Sequence, residues 1–128
     1  MTLERLHNNQ IINNMSLERK FVRDQLVQPI FIHEDEKNEA TIPGLGKNKI
    51  LFESNIIETI SDDIKNGCRN FILFFVPKTK SNNHFITSFQ ENILLKIKKE
   101  FGSEIEIWVD LCLCSFTTSG HCCLFEGK

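Results

Sequence analysis

The segment Val109-Asp110-Leu111-Cys112-Leu113-Cys114-Ser115-Phe116-Thr117-Thr118-Ser119-Gly120-His121-Cys122-Cys123 concentrates the side chains best able to do chemistry. Four of the five cysteines fall in it, and Cys68 stands apart. An odd number, with four in one short stretch, makes a poor disulfide framework and reads more naturally as a metal site in a reducing compartment. On a strand with period two, Asp110, Cys112 and Cys114 share one face, and Val109, Leu111 and Leu113 share an apolar face that packs under helices. The Ser/Thr/Gly-rich stretch that follows can fold back and deliver Cys122. Three thiolates on a borderline divalent cation is zinc chemistry, and three protein ligands leave a fourth position for water or substrate. Cys123 or His121 could instead close the tetrahedron and make the site inert. Cysteine is also a common core residue, so Cys112 and Cys114 alone read more readily as strand filler. Cys122 and His121 close behind them bring the metal reading level with it.

Other groups offer less. Lys78 and Lys80 follow an apolar run, where a desolvated amine could form a Schiff base, but solvated loop lysines are the plainer reading. His33 and His84 stand singly in polar loops. Gly44-Leu45-Gly46 is too short for a phosphate-binding loop. Cys68 is expected to pack behind a helix.

The elements that must position the cysteines can be read from periodicity. Residues 1–26 are polar and Asn-rich, and read as an N-terminal arm with a short helical possibility near Met15–Arg23. Leu26–Ile32 is a strand, with Pro29 confined to its start or to an edge. A long charged loop runs from His33 to the Pro43-Gly44-Leu45-Gly46 turn. Ser54 is the expected cap of a helix carrying Ile56, Ile57, Ile60 and Ile64, stopped at Gly67. Asn70–Val76 is apolar on both faces, as an interior strand of a parallel sheet must be, and ends at Pro77. Phe89, Ile93, Leu94, Ile97 and Phe101 mark a second helix, stopped at Gly102. Ile105–Leu113 is the third strand, which puts the cysteines at its C-terminal end, where parallel α/β folds build their sites. The expected class is α/β, in β-α-β-α-β order with right-handed crossovers, over residues 27–128. No element remains to cover the third strand.

The 128 residues suffice for one domain. Fifteen Lys+Arg against seventeen Asp+Glu give a net charge of −2, which argues against a nucleic-acid partner. The 41% apolar and 25% charged composition argues against wholesale disorder. No apolar run suits a membrane span or secretory leader, so a cytoplasmic location with no membrane partner is expected.

Asp110-x-Cys112-x-Cys114, followed by Thr117 and Gly120-His121-Cys122, resembles the zinc motif D-x-C-x-C-x-Y-T-S-H-G-H-C-G of the porphobilinogen synthase (5-aminolevulinate dehydratase) family. Gln28-Pro29-Ile30-Phe31-Ile32, Ile42-Pro43-Gly44 and the Asn66-Gly67 turn into Phe71–Val76 extend the resemblance from about Leu17 onward. It implies the N-terminal part of a (β/α)8 TIM barrel, incomplete in this chain, with an arm that embraces a neighbouring subunit. It implies a homo-oligomer, commonly an octamer, that condenses two 5-aminolevulinate molecules to porphobilinogen with loss of water, for tetrapyrrole and heme synthesis. It assigns zinc to Cys112, Cys114 and Cys122 and makes Asp110 a supporting active-site carboxylate. An allosteric Mg2+ site would draw on residues outside the segment. The chain departs from the pattern at Ser115-Phe116, Thr118-Ser119 and Cys123, which replaces a glycine. The loop from Lys80 to Phe89 lacks the family's Gly-Ser-x-Ala stretch. The family's two Schiff-base lysines have no matching position here, so the 128 residues alone are expected to be inactive. A non-catalytic zinc-binding module and a truncated relic are the alternatives.

Overall fold

In the computed structural model, the residues described are Ile11, 22–36, 41–46, 48–83, Phe85 and 87–124. Four parallel strands, β1 (Gln28–His33), β2 (Ile50–Leu51), β3 (Asn70–Val76) and β4 (Glu106–Val109), form one sheet in the order β2-β1-β3-β4. Helix α1 (Ile56–Lys65) and helix α2 (Ser88–Phe101) supply the crossovers. The β1–β3 pairing runs from Gln28↔Phe71 to His33↔Val76, and β3–β4 from Asn70↔Glu106 to Leu73↔Val109. Parallel neighbours need such long connections, and the helical spacing of the isoleucines provides them.

The core lies on one face of the sheet. Ile30, Ile32, Phe71, Leu73 and Phe75 form one buried cluster with Ile56 and Ile60 of α1 and Phe89, Ile93 and Ile97 of α2. Phe75 and Phe89 meet edge to face, with ring centroids 5.8 Å apart. On the other face Phe31 stacks on its register partner Phe74 at 4.9 Å. Ile72, Phe74 and Val76 stay half-buried there, and Trp108 is exposed. Among the described residues, helices cover only one side of the sheet.

Three local features differ from the sequence reading. Strand β2 was not among the expected elements, because two residues carry no readable alternation. The cap of α1 is Asn55, not Ser54; the Asn55 side chain reaches back to accept from the Phe52 N–H at 2.8 Å. The third strand stops at Val109 rather than Leu113, although the Asp110 N–H still donates to Leu73 O at 3.0 Å. Leu111 consequently packs under nothing, at 94% exposure. Pro29 sits one residue into β1, ahead of the stretch that pairs with β2, so its missing N–H interrupts nothing there. Cys68 is partly buried against the core, as expected. The arm over 1–26, with its helix near Met15–Arg23, lies largely outside the described residues, as does His84. Within that range, Arg23–Gln25 form a single exposed 3-10 turn.

Candidate metal centre

Because β4 ends early, the cysteines are gathered by a turn and not by strand alternation. The Phe116 and Thr117 N–H groups both donate to Leu113 O at 2.9 Å, folding the chain back just beyond Cys112. Gly120, at φ +73°, turns it again, in backbone space that a side chain disfavours. The Gly120 N–H donates to Thr117 O at 3.3 Å, and Thr117 Oγ1 donates to His121 O at 2.8 Å. The loop is also clipped to the β3–α2 connection. Ser81 N–H donates to Phe116 O at 2.9 Å, and Asn82 Oδ1 accepts from the N–H and the hydroxyl of Thr118 at 3.1 and 3.2 Å.

The result is a convergence of three sulfurs. Cys112 Sγ lies 3.2 Å from Cys114 Sγ and 3.1 Å from Cys122 Sγ, and all three lie within 4.8 Å of one another. A tetrahedral zinc with bonds of about 2.3 Å would hold its sulfurs about 3.8 Å apart. Small rotations of three side chains suffice to reach that spacing, so the donor set fits a thiophilic cation. All five cysteines are free thiols, and Cys123 and His121 stand outside the gathered set. No other such group of acidic, histidine or cysteine side chains occurs among the described residues.

The electrostatics favour charge on one of the three thiols over the other two. The Cys114 backbone N–H, then the Cys122 and Cys114 thiols, stabilise a Cys112 thiolate and lower its pKa. Hydrogen bonding to Cys112 pushes Cys114 up, with burial and the Cys112 charge adding to it. Hydrogen bonding to Cys112 and then its charge push Cys122 up to about 11. Asp110 is half-buried next to this group, and its carboxylate disfavours ionisation of both Cys112 and Cys114 as a smaller effect.

The remaining candidates stay apart. Lys78 and Lys80 are exposed, and the Lys78 backbone N–H donates to Glu34 Oε2 at 2.8 Å. His33 ends β1 half-buried, and burial lowers its pKa against the opposing charge of Asp35. Thr117 and Asn82 escaped sequence reasoning as parts of the site. Thr117 lay inside the motif with no role attached, and nothing local ties Asn82 to a residue 36 positions on.

Comparison with known proteins agrees with the geometry. The sequence model of the family described as "Delta-aminolevulinic acid dehydratase" matches residues 1–128. The enzyme of that name from Ruminiclostridium josui is 26% identical over 97% of this chain and 62% of its own length. That from Halalkalibacterium halodurans is 30% identical over 97% of this chain and 39% of its own. The solved structure of delta-aminolevulinic acid dehydratase (porphobilinogen synthase) from Toxoplasma gondii, in complex with porphobilinogen, superposes with a TM-score of 0.72 at 17% identity. It covers 98% of this chain and 37% of the Toxoplasma chain. The fold is therefore part of that TIM barrel, and the chain spans between about two-fifths and three-fifths of the length of these relatives.

Proposed function

Because this chain belongs to the delta-aminolevulinic acid dehydratase family, whose members are lyases, we propose that it is the zinc-holding N-terminal portion of a porphobilinogen synthase. The whole enzyme would condense two 5-aminolevulinate molecules to porphobilinogen for heme and other tetrapyrroles, as a cytoplasmic homo-oligomer. The observation that carries this reading is the approach of Cys112, Cys114 and Cys122 to within 4.8 Å at the end of a parallel barrel strand.

Cys112, Cys114 and Cys122 are the residues that would hold the metal. Zinc bound there supplies Lewis acidity toward a substrate carbonyl or amine. The protein's own contribution is the loop that returns Cys122, the Cys114 N–H that favours charge on Cys112, and Asp110 as a supporting carboxylate. The described residues gather three ligands and no fourth, which suits a position kept open to substrate. The 128 residues present no counterpart to the two Schiff-base lysines of the resemblance, so taken alone they hold zinc without turning over substrate.

Zinc titration against a competing chelator tests this. One equivalent binds the unaltered chain; Cys112→Ser, Cys114→Ser and Cys122→Ser each lower affinity at least about tenfold, and Cys123→Ser leaves it unchanged. Absence of zinc uptake overturns the metal reading. Formation of porphobilinogen by the 128 residues alone overturns the claim that they need the remainder of the barrel.

A further inference from the structure

Thr117 is the only buried polar residue among those described, at 0% exposure, while its neighbours Thr118 and Ser119 are exposed. All three of its polar groups are used, and each joins a different part of the cysteine loop. Its N–H donates to Leu113 O, between Cys112 and Cys114. Its carbonyl accepts from Gly120. Its hydroxyl donates at 2.8 Å to the carbonyl of His121, the residue immediately before Cys122. The first bond belongs to the half of the loop that carries Cys112 and Cys114, and the other two to the half that carries Cys122.

We propose that Thr117 is a positioning residue, whose buried hydroxyl fixes the returning strand of the loop so that the Cys122 sulfur meets those of Cys112 and Cys114. Cys122 is exposed and eight residues past Cys114, so without this tie it samples positions away from the other two sulfurs. Each such position lowers its effective concentration at the site, and thereby the affinity for anything that needs all three. The consequence for metal rests on the zinc reading above; the consequence for sulfur placement does not.

The substitution Thr117→Val removes only the hydroxyl and keeps the branched shape and both backbone bonds. Binding of Co2+, followed by its thiolate charge-transfer absorption, is expected to weaken about tenfold, and Thr117→Ser is expected to restore it. In a Cys122→Ser background, Thr117→Val should cost no further Co2+ affinity. Equal losses in both backgrounds would show a general structural effect and overturn the proposal. The metal-free arm uses Cys114→Ser/Cys123→Ser protein equilibrated with oxidised and reduced glutathione, where the Cys112–Cys122 disulfide constant reports how often those two sulfurs meet. Thr117→Val should lower that constant by a similar factor. An unchanged constant overturns the inference even where Co2+ binds; a lowered constant in protein that binds no Co2+ upholds it while the zinc reading falls. Circular dichroism of each variant confirms that the fold persists, and Thr117→Ala supplies the hydroxyl-free comparison if Thr117→Val does not fold.

Discussion

Three thiols must shed protons before their sulfurs can hold a divalent cation. Cys112 is the group whose ionisation is favoured, while Cys114 is raised and Cys122 is pushed up to about 11. Between about pH 7 and 8.5, below the usual thiol range, Cys114 and Cys122 therefore remain protonated before metal arrives. Binding releases both protons, together with that of Cys112 wherever its thiol is not yet ionised, so the logarithm of the zinc association constant should rise by between about two and three for each pH unit across that window. Potentiometric or chelator-competition titration at several pH values measures the slope. A slope near zero would mean that the thiols are already ionised and that their mutual hydrogen bonds do not set the charge. Asp110 opposes ionisation of Cys112 and Cys114, so Asp110→Asn should ease deprotonation of the apo site, seen as faster alkylation by iodoacetamide near neutral pH.

At the scale of elements, the loop is held by bonds from one connection to another. Asn82→Ala removes the acceptor shared by the N–H and hydroxyl of Thr118. The Thr118 amide should then exchange with solvent several-fold faster, with little change at core amides such as that of Leu73. Helix α2 starts with a capping box in which the Thr87 N–H donates to Gln90 Oε1 at 2.7 Å. Thr87→Ala should lower stability by about 1 kcal/mol, measured by urea unfolding. Both helices were legible from periodicity, because Ile56, Ile60, Ile93 and Ile97 bury one face, and the interior strand β3 was legible as the continuous apolar run from Phe71 to Val76 that ends at Pro77. The end of β4 was not legible. Val109, Leu111 and Leu113 continue the apolar alternation, yet the chain leaves the ladder after one last bond from Asp110 to Leu73 and turns at Leu113. Alternation records what a strand would bury, not whether a neighbour is present to bury it.

For the whole molecule, the main physical fact is the face of the sheet that no described helix covers. Phe31, Ile72, Phe74 and Val76 are only half-buried and Trp108 is 45% exposed, on the side that a closed barrel would fill with side chains. Beside β4, an apolar groove of about 290 Å³ is lined by Phe85, Leu94, Val109, Leu111, Leu113 and Phe116. Trp108 is the single tryptophan, which makes it a clean reporter. Its emission should lie near that of solvated indole in the 128-residue chain. It should shift to shorter wavelength when the later barrel segments of a family relative are joined to it. Emission already blue-shifted in the 128 residues alone, at dilutions that keep them monomeric, would mean that this face is covered within the chain. No helix among the described residues is long and apolar enough to cross a membrane.

By itself the sequence determined the α/β class, the helix faces and the interior strand, since each rests on residue type and short-range spacing; spacing left Cys123 and His121 open beside Cys112, Cys114 and Cys122, and the resemblance singled out those three. The motif also carried the family, which the match over all 128 residues bears out. Only the tertiary structure decided how the sulfurs meet. That depends on a strand ending at Val109, on the three bonds made by Thr117 and on the reach of Asn82 across 36 residues. Hydrogen bonds between distant segments leave no periodicity behind, and a loop's path is set by what it can pair with in space.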